Sequence, residues 1–425
     1  MYCGSCLRDN SLANELRALG EDITVIPAYT PVRVDEETLT GKRVFFGAVD
    51  VYLQEKFAGM RARKGLVGKI LGSQTLLGWV SRFALSTNPA ELGRLTISML
   101  RGNEGHQRRS LTELVDWLAS DVRPDVVHLP NSLLLGLARE IKERLGVAIV
   151  CGLSGEDVFL EDLVEPYRST ALELMRERAT DVDRYAATTR YCAERMTEIL
   201  GLEPSRVDVV LPGIHLKDYA LPFDGAEKKK PRDGLAIGYF ARIAPEKGLH
   251  LLADAYHRIW SSGEFPGVRL KIAGYLGGKD RRYAASVRRT LAARRVVNSV
   301  ELLGTVDRQE KLAFLRDLDV LSVPTVSPEP KGLFVLEALA SGVPVVQPRH
   351  GSFPEFLENT GGGLLHEPGD AADLAAKLGE LLRNPERRLA LGEAGREAVH
   401  AKFSSRRMAE DTLAIYRKVV GNGVS

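Results

Sequence analysis

The stretch "VPTVSPEPKGLFVLEALASGVPVVQP" (Val323–Pro348) reads as a strand end, a loop, a helix and the next strand. The apolar run stops at Pro324, and a helix is predicted to start near Lys331-Gly332 and run to Ala340. Free backbone N–H groups at such a helix start, aligned with its dipole, favour a phosphate. Gly332 lets a ligand come close to the backbone. Glu329 precedes the helix and Glu337 lies on it, eight positions later. Carboxylates are poor phosphate ligands and good acceptors for sugar hydroxyls. The pattern therefore suits a molecule with a diphosphate in its middle and hydroxylated groups at both ends.

Outward from this stretch, the second half of the chain alternates short apolar runs with helical patterns, as in a doubly wound parallel sheet. "LAIGYFA" (Leu235–Ala241), "LKIAGYL", "VELLG", "DVLSVPT" and "VPVVQP" are the expected strands. Each is nearly continuous in apolar residues, which predicts burial on both faces. The first half offers "ITVIPAY" (Ile23–Tyr29), "DVVHL", "VAIVCGL", "YAATT" and "VDVVLP", with a helix over "LLLGLAREIKERLG" that Gly146 ends. The Pro-, Gly- and Lys-rich "LPFDGAEKKKPRDG" marks a loop near the start of the second half. Two such domains, facing each other, are expected to hold ligand in a cleft at the carboxyl ends of both sheets.

The E-x7-E spacing of Glu329 and Glu337, continued by "EALASGVPVV", resembles the family 4 glycosyltransferases. "GYFARIAPEKGLHLLADAY" is similar to that family's strand–loop–helix bearing an Arg and a Lys, and "GSFPEFLENTGGGLLHEPGDAADLAAKL" to its Gly-rich return segment. The resemblance covers the whole second half. It implies an α/β GT-B fold of two Rossmann-like domains: an acceptor-side domain over 1–213, a nucleotide-sugar domain over 214–404, and a helix over 405–425 crossing back to the first. It also implies a retaining, metal-independent transfer of a sugar from a nucleotide-diphosphate donor to a hydroxyl-bearing acceptor, such as a glycan or lipid-linked glycan. The donor is a substrate, so no cofactor is expected.

On this resemblance Arg242 and Lys247 hold the diphosphate, Glu329 contacts the transferred sugar, and Glu337 accepts from the ribose hydroxyls. The amides of Gly332, Leu333 and Phe334 face phosphate or sugar, and the backbone at Thr305 and Val306 reads the nucleobase. Gly4 and Ser5, in "MYCGSCLRDN", belong to a small-residue loop expected to approach the donor phosphate or the acceptor. Lys331 stands where the family commonly has an aromatic residue, and Pro330 where Gly or Ser is frequent. In the first domain Ser154 occupies the place where many relatives carry a sugar-side histidine, so Glu156, Asp157 and the strand-end His128 are the remaining candidates there. The resemblance also makes the strand that should precede the Gly4 loop conspicuous by its absence, and a native start upstream of Met1 is expected.

The remaining features narrow the alternatives. With 58 basic and 56 acidic residues the net charge is +2, which gives no reason to expect nucleic acid as partner. Four cysteines are too few for a disulfide scaffold and fit a reducing cytoplasm. The Cys3-x-x-Cys6 pair has no His/Cys cluster to complete a zinc site. Asp181-Val-Asp183 and Asp317-Leu-Asp319 fit a D-x-D pattern too short to imply a metal. Residues 56–82 hold Lys56, Arg61, Arg63, Lys64, Lys69 and Arg82 with no acid after Glu55, interleaved with apolar residues such as Val67 and Trp79. That segment is either a solvated helical insertion or a peripheral membrane contact. A nucleotide-sugar epimerase of the same fold and a non-catalytic nucleotide-sugar-binding protein are the competing functions. A nicotinamide dehydrogenase fails for want of the dinucleotide glycine pattern.

Overall fold

The structure is a computed structural model, in which residues 4–27, 89–219 and 234–421 are described. It divides into two units, one built mainly from residues 5–210 and one from 211–408, with the residues from Ala409 onward counted in the first.

In the first unit α1 (Gly4–Ala18) is followed by α2 (Pro89–Leu100) and α3 (Arg108–Trp117). β1 (Val126–Leu129), α4 (Ala138–Leu145), β2 (Ala148–Leu153), α5 (Glu156–Glu161), α6 (Tyr167–Arg178), β3 (Arg184–Ala187), α7 (Arg190–Leu200) and β4 (Val207–Val209) then alternate as strands and helices. The four strands lie parallel in the order β1-β2-β3-β4. Ile149, Cys151, Leu153, Tyr185 and Ala187 are fully buried in its core with Leu135, Ile141 and Met175. α4 ends at Gly146, whose left-handed φ of 67° lets its N–H reach the Lys142 carbonyl.

Two expectations fail in this unit. Ile23–Tyr29 is not a strand: residues 23–27 carry only a bridge residue at Val25, and the rest lies outside the described residues. A strand exists only through its ladder, and an apolar run with one bridge does not make one. Gly4 and Ser5 are not in a loop, because α1 already starts at Gly4. The basic run 56–82 and Cys3 lie outside the described residues.

The second unit runs β5 (Ala236–Phe240), α8 (Leu249–Ser261), β6 (Arg269–Ala273), α9 (Arg281–Ala293), β7 (Val300–Gly304), α10 (Arg308–Arg316), β8 (Val320–Leu321), α11 (Leu333–Ala340), β9 (Val345–Pro348), α12 (Phe353–Thr360), β10 (Gly363–His366), α13 (Ala371–Arg383) and α14 (Pro385–Lys402). The last helix, α15 (Ser405–Gly421), starts in this unit and belongs to the first from Ala409 onward. The sheet of the second unit is parallel, in the order β10-β9-β8-β5-β6-β7. The order reverses between β5 and β8, so the loops leaving their carboxyl ends diverge there and open a ligand site. Those loops carry Arg242, Lys247 and Glu329. β10 went unread in the sequence because its segment opens on three glycines. β7 departs from the expected burial: it is an edge strand, with Leu302 55% and Leu303 37% exposed.

Candidate active site

The loop after β5 and the loop after β8 are tied together at the switch point. The Val326 N–H donates to the Glu246 carbonyl at 2.9 Å, and a Cβ on Gly248 would collide with the Pro324 carbonyl oxygen. Glycine at 248 thus sets how closely the loops meet.

Across this junction Lys247 Nζ donates to Glu329 Oε2 at 2.5 Å. The other oxygen, Oε1, accepts from the backbone amides of Lys331 and Gly332, both at 3.3 Å. Burial pushes the Glu329 carboxyl up, but the Lys247 ammonium and the two amides outweigh it and hold the group below the usual glutamate range. Gly332 caps α11 with φ 53°, and a side chain there would press on the Phe356 ring. The amides at the helix mouth are therefore already engaged by a carboxylate, as a helix N-terminus favours.

Arg242 lies between two acids. It pairs with Glu246 and stands 4.0 Å from Asp280 Oδ2, a buried oxygen with no hydrogen-bond partner among the described residues. Glu337 lies on the buried face of α11. Lys311 Nζ on α10 reaches its Oε1 at 2.7 Å, with both side chains about one tenth exposed. A capping box of Asp307 and Glu310 starts α10 and fixes where Lys311 falls. Thr305 lines a cavity of about 600 Å³ with Gly274, Tyr275 and Gly304, floored by Ile272, Val287 and Leu291.

The structure thus gathers Arg242, Lys247, Glu329, Gly332 and Glu337 at one end of one sheet, with Leu333 and Phe334 in the first turn of α11. Thr305 and Val306 link β7 to α10. Lys311 was missed in the sequence because a lysine on a charged helix reads as solvated. Its signal was positional: Phe314 and Leu315, three and four residues on, are buried on the same face. Gly351 was also missed. With φ 59° it packs against the Glu329 backbone, where a Cβ would come within 2.5 Å of the amide nitrogen.

The first-unit candidates form a separate buried group at the ends of β1 and β2. His128 Nδ1 is 2.6 Å from the Tyr416 hydroxyl on α15, and burial lowers its pKa to about 4. Buried Arg8 pairs with Asp9 at 2.7 Å and approaches the Pro130 carbonyl at 3.5 Å. Ser154 donates its N–H and its hydroxyl to the Glu156 carboxylate at 2.9 and 3.2 Å. Asp157 is buried 3.9 Å from Arg195, with its pKa raised chiefly by burial. Gly4 and Ser5 open α1. Among the described residues no group of three or more His, Cys, Asp or Glu side chains is arranged to hold a metal ion. Among the described residues Cys6, Cys151 and Cys192 form no disulfide with one another.

The family model for "Glycosyl transferases group 1" matches residues 223–398, and that for "Glycosyl transferase 4-like domain" matches residues 9–213. The chain belongs to the family 4 glycosyltransferases. It is 28% identical over 358 residues to a D-inositol 3-phosphate glycosyltransferase of Segniliparus rotundus, across 79% of this chain and 72% of the relative. A Mycobacteroides abscessus protein of the same name is 28% identical, across 64% of this chain and 63% of the relative. Among solved structures, Anabaena HepE in complex with UDP aligns with a TM-score of 0.64 at 18% identity, covering 73% of this chain and 82% of that one. A glycosyltransferase from Rickettsia africae aligns with a TM-score of 0.64 at 16% identity, covering 99% of this chain and 96% of that one. These neighbours define the fold as GT-B.

Proposed function

We propose that this glycosyltransferase moves a sugar from a uridine diphosphate donor to an acceptor hydroxyl, with retention of configuration and without a metal. The observation that carries the reading is the Lys247–Glu329 pair seated on the helix-mouth amides beside Arg242. When the donor binds, its diphosphate takes Lys247 and Arg242, and Glu329 turns to the sugar hydroxyls. Glu337, held by Lys311, receives the ribose diol. The bond from the anomeric carbon to the diphosphate oxygen then breaks as the acceptor oxygen bonds to the same face. The acceptor proton passes to the departing phosphate, and the two cations stabilise the charge that develops there.

Support for uridine comes from the UDP complex of HepE, and support for a polyol or polyol-phosphate acceptor from the named activity of the relatives. Nothing in the geometry favours the epimerase or the non-catalytic reading. The test is turnover of a UDP-sugar panel, with and without inositol phosphate, in a chelator. Transfer or donor hydrolysis that Glu329→Ala and Lys247→Ala each abolish is the expected result. Tight UDP binding with no turnover on any acceptor would refute it.

A further inference from the structure

We propose that the outward face of α9, together with the neighbouring edge strand β7, docks on an anionic lipid bilayer. Residues 279–295 contain seven cations and a single acid, Asp280, which is buried. Arg294 is occupied by Asp254. Lys279, Arg281, Arg282, Arg288, Arg289 and Arg295 are exposed, and no ion pair is found for them among the described residues. At 100° per residue, Arg281, Arg282, Arg288 and Arg289 fall with Ala285, Ala292 and Ala293 on one face spanning about 140°. The small alanines bring the helix backbone close to a flat surface, while arginines can extend sideways to head-group phosphates.

Apolar side chains accompany this charge. Leu276, Leu302 and Leu303 are 37%, 55% and 37% exposed, and all three line the same cavity as Arg281 and Arg288. Leucines beside unpaired arginines match the boundary between lipid head groups and acyl chains. A nucleic-acid surface would gain nothing from them. The whole chain carries only +2, so the positive potential here is a local concentration. The surface borders the cavity that Thr305 lines, whereas Arg282, Arg289 and Arg295 lie outside that cavity, and the proposal does not depend on the proposed reaction.

Sedimentation of the full-length protein with phosphatidylcholine vesicles, and with two-to-one phosphatidylcholine and phosphatidylglycerol vesicles, tests it. Wild type should bind the anionic vesicles only, and less as salt rises. The variant Arg282→Glu/Arg289→Glu/Arg295→Glu, whose three side chains lie outside the cavity lined by Thr305, should lose about 100-fold in partitioning, with its thermal midpoint and UDP affinity unchanged. The basic run 56–82 is intact in that variant, so undiminished binding would assign the contact elsewhere and overturn the proposal. Absence of binding by wild type would overturn it too, as would tighter binding to a single-stranded oligonucleotide than to anionic vesicles at equal salt. Leu302→Ser/Leu303→Ser should weaken binding several-fold while leaving its salt dependence; no change would overturn the part assigned to β7.

Discussion

Gly351 presses against the backbone of Glu329, and the Ser352 N–H donates to the Glu329 carbonyl at 2.8 Å. The turn after β9 therefore fixes where that carboxylate stands. Gly351→Ala adds a methyl group where none fits and forces a left-handed alanine, which costs about 1–2 kcal/mol in backbone strain alone. We expect a fall in kcat of at least about tenfold, because misplacing a positioned group by a fraction of an ångström is costly. Circular dichroism should still report a folded protein, and steady-state turnover is the measurement.

Lys247 both neutralises buried Glu329 and faces the proposed diphosphate. Lys247→Met leaves the carboxylate with its burial cost and only two long amide bonds, so its pKa should rise towards or above the ordinary value. Donor affinity should fall by about tenfold or more, the scale of one lost charge-assisted contact. Calorimetric titration with UDP across pH checks both effects. Unchanged UDP affinity would exclude Lys247 from the phosphate site.

Lys311 is predicted to position Glu337. With one carboxylate oxygen held by the lysine, the other is left to meet a vicinal diol. Lys311→Met strands a buried carboxylate, and breaking such a pair costs about 3–5 kcal/mol. UDP binding should weaken far more than 2′-deoxy-UDP binding, and Lys311→Arg should restore part of the preference. A double-mutant cycle with Glu337→Gln measures the coupling. Equal losses for both nucleotides would reduce Lys311 to a packing role.

His128 gives a pH signature in the first unit. Its folded pKa of about 4 lies below the unfolded value of 6.5, so between those values the unfolded chain binds the extra proton. Stability contributed by neutral His128 is thus complete above pH 6.5 and declines as the pH drops towards 4. Between pH 7 and pH 5 the loss is about 2 kcal/mol. Denaturant titrations of wild type and His128→Gln should converge over this range as the wild type weakens, and parallel curves would contradict the assignment.

Most of the second unit was legible because each strand is a short apolar run and the E-x7-E segment has an unusual composition. Helix α11 begins where Gly332 suggested, since only glycine adopts that φ without strain. What was illegible depended on neighbours distant in sequence. Residues 320–321 and 300–304 look alike as apolar runs, yet β8 is central and β7 is an edge, a difference set by sheet order alone. Ile23–Tyr29 has the composition of a strand without the ladder. Glu329 and Glu337 were found by spacing, whereas their partners Lys247 and Lys311 lie 82 and 26 residues away. The pairing with Lys311, in particular, rests on packing between α10 and α11.

The resting acid–cation couples at 247–329 and 242–246 have a further consequence for thermodynamics. A nucleotide arriving here acts as a replacement counterion, exchanging one anion for another instead of recruiting bare positive charge. Its affinity should accordingly respond only gently to ionic strength, and much of its apparent binding enthalpy should report the rupture of contacts the protein had already made with itself.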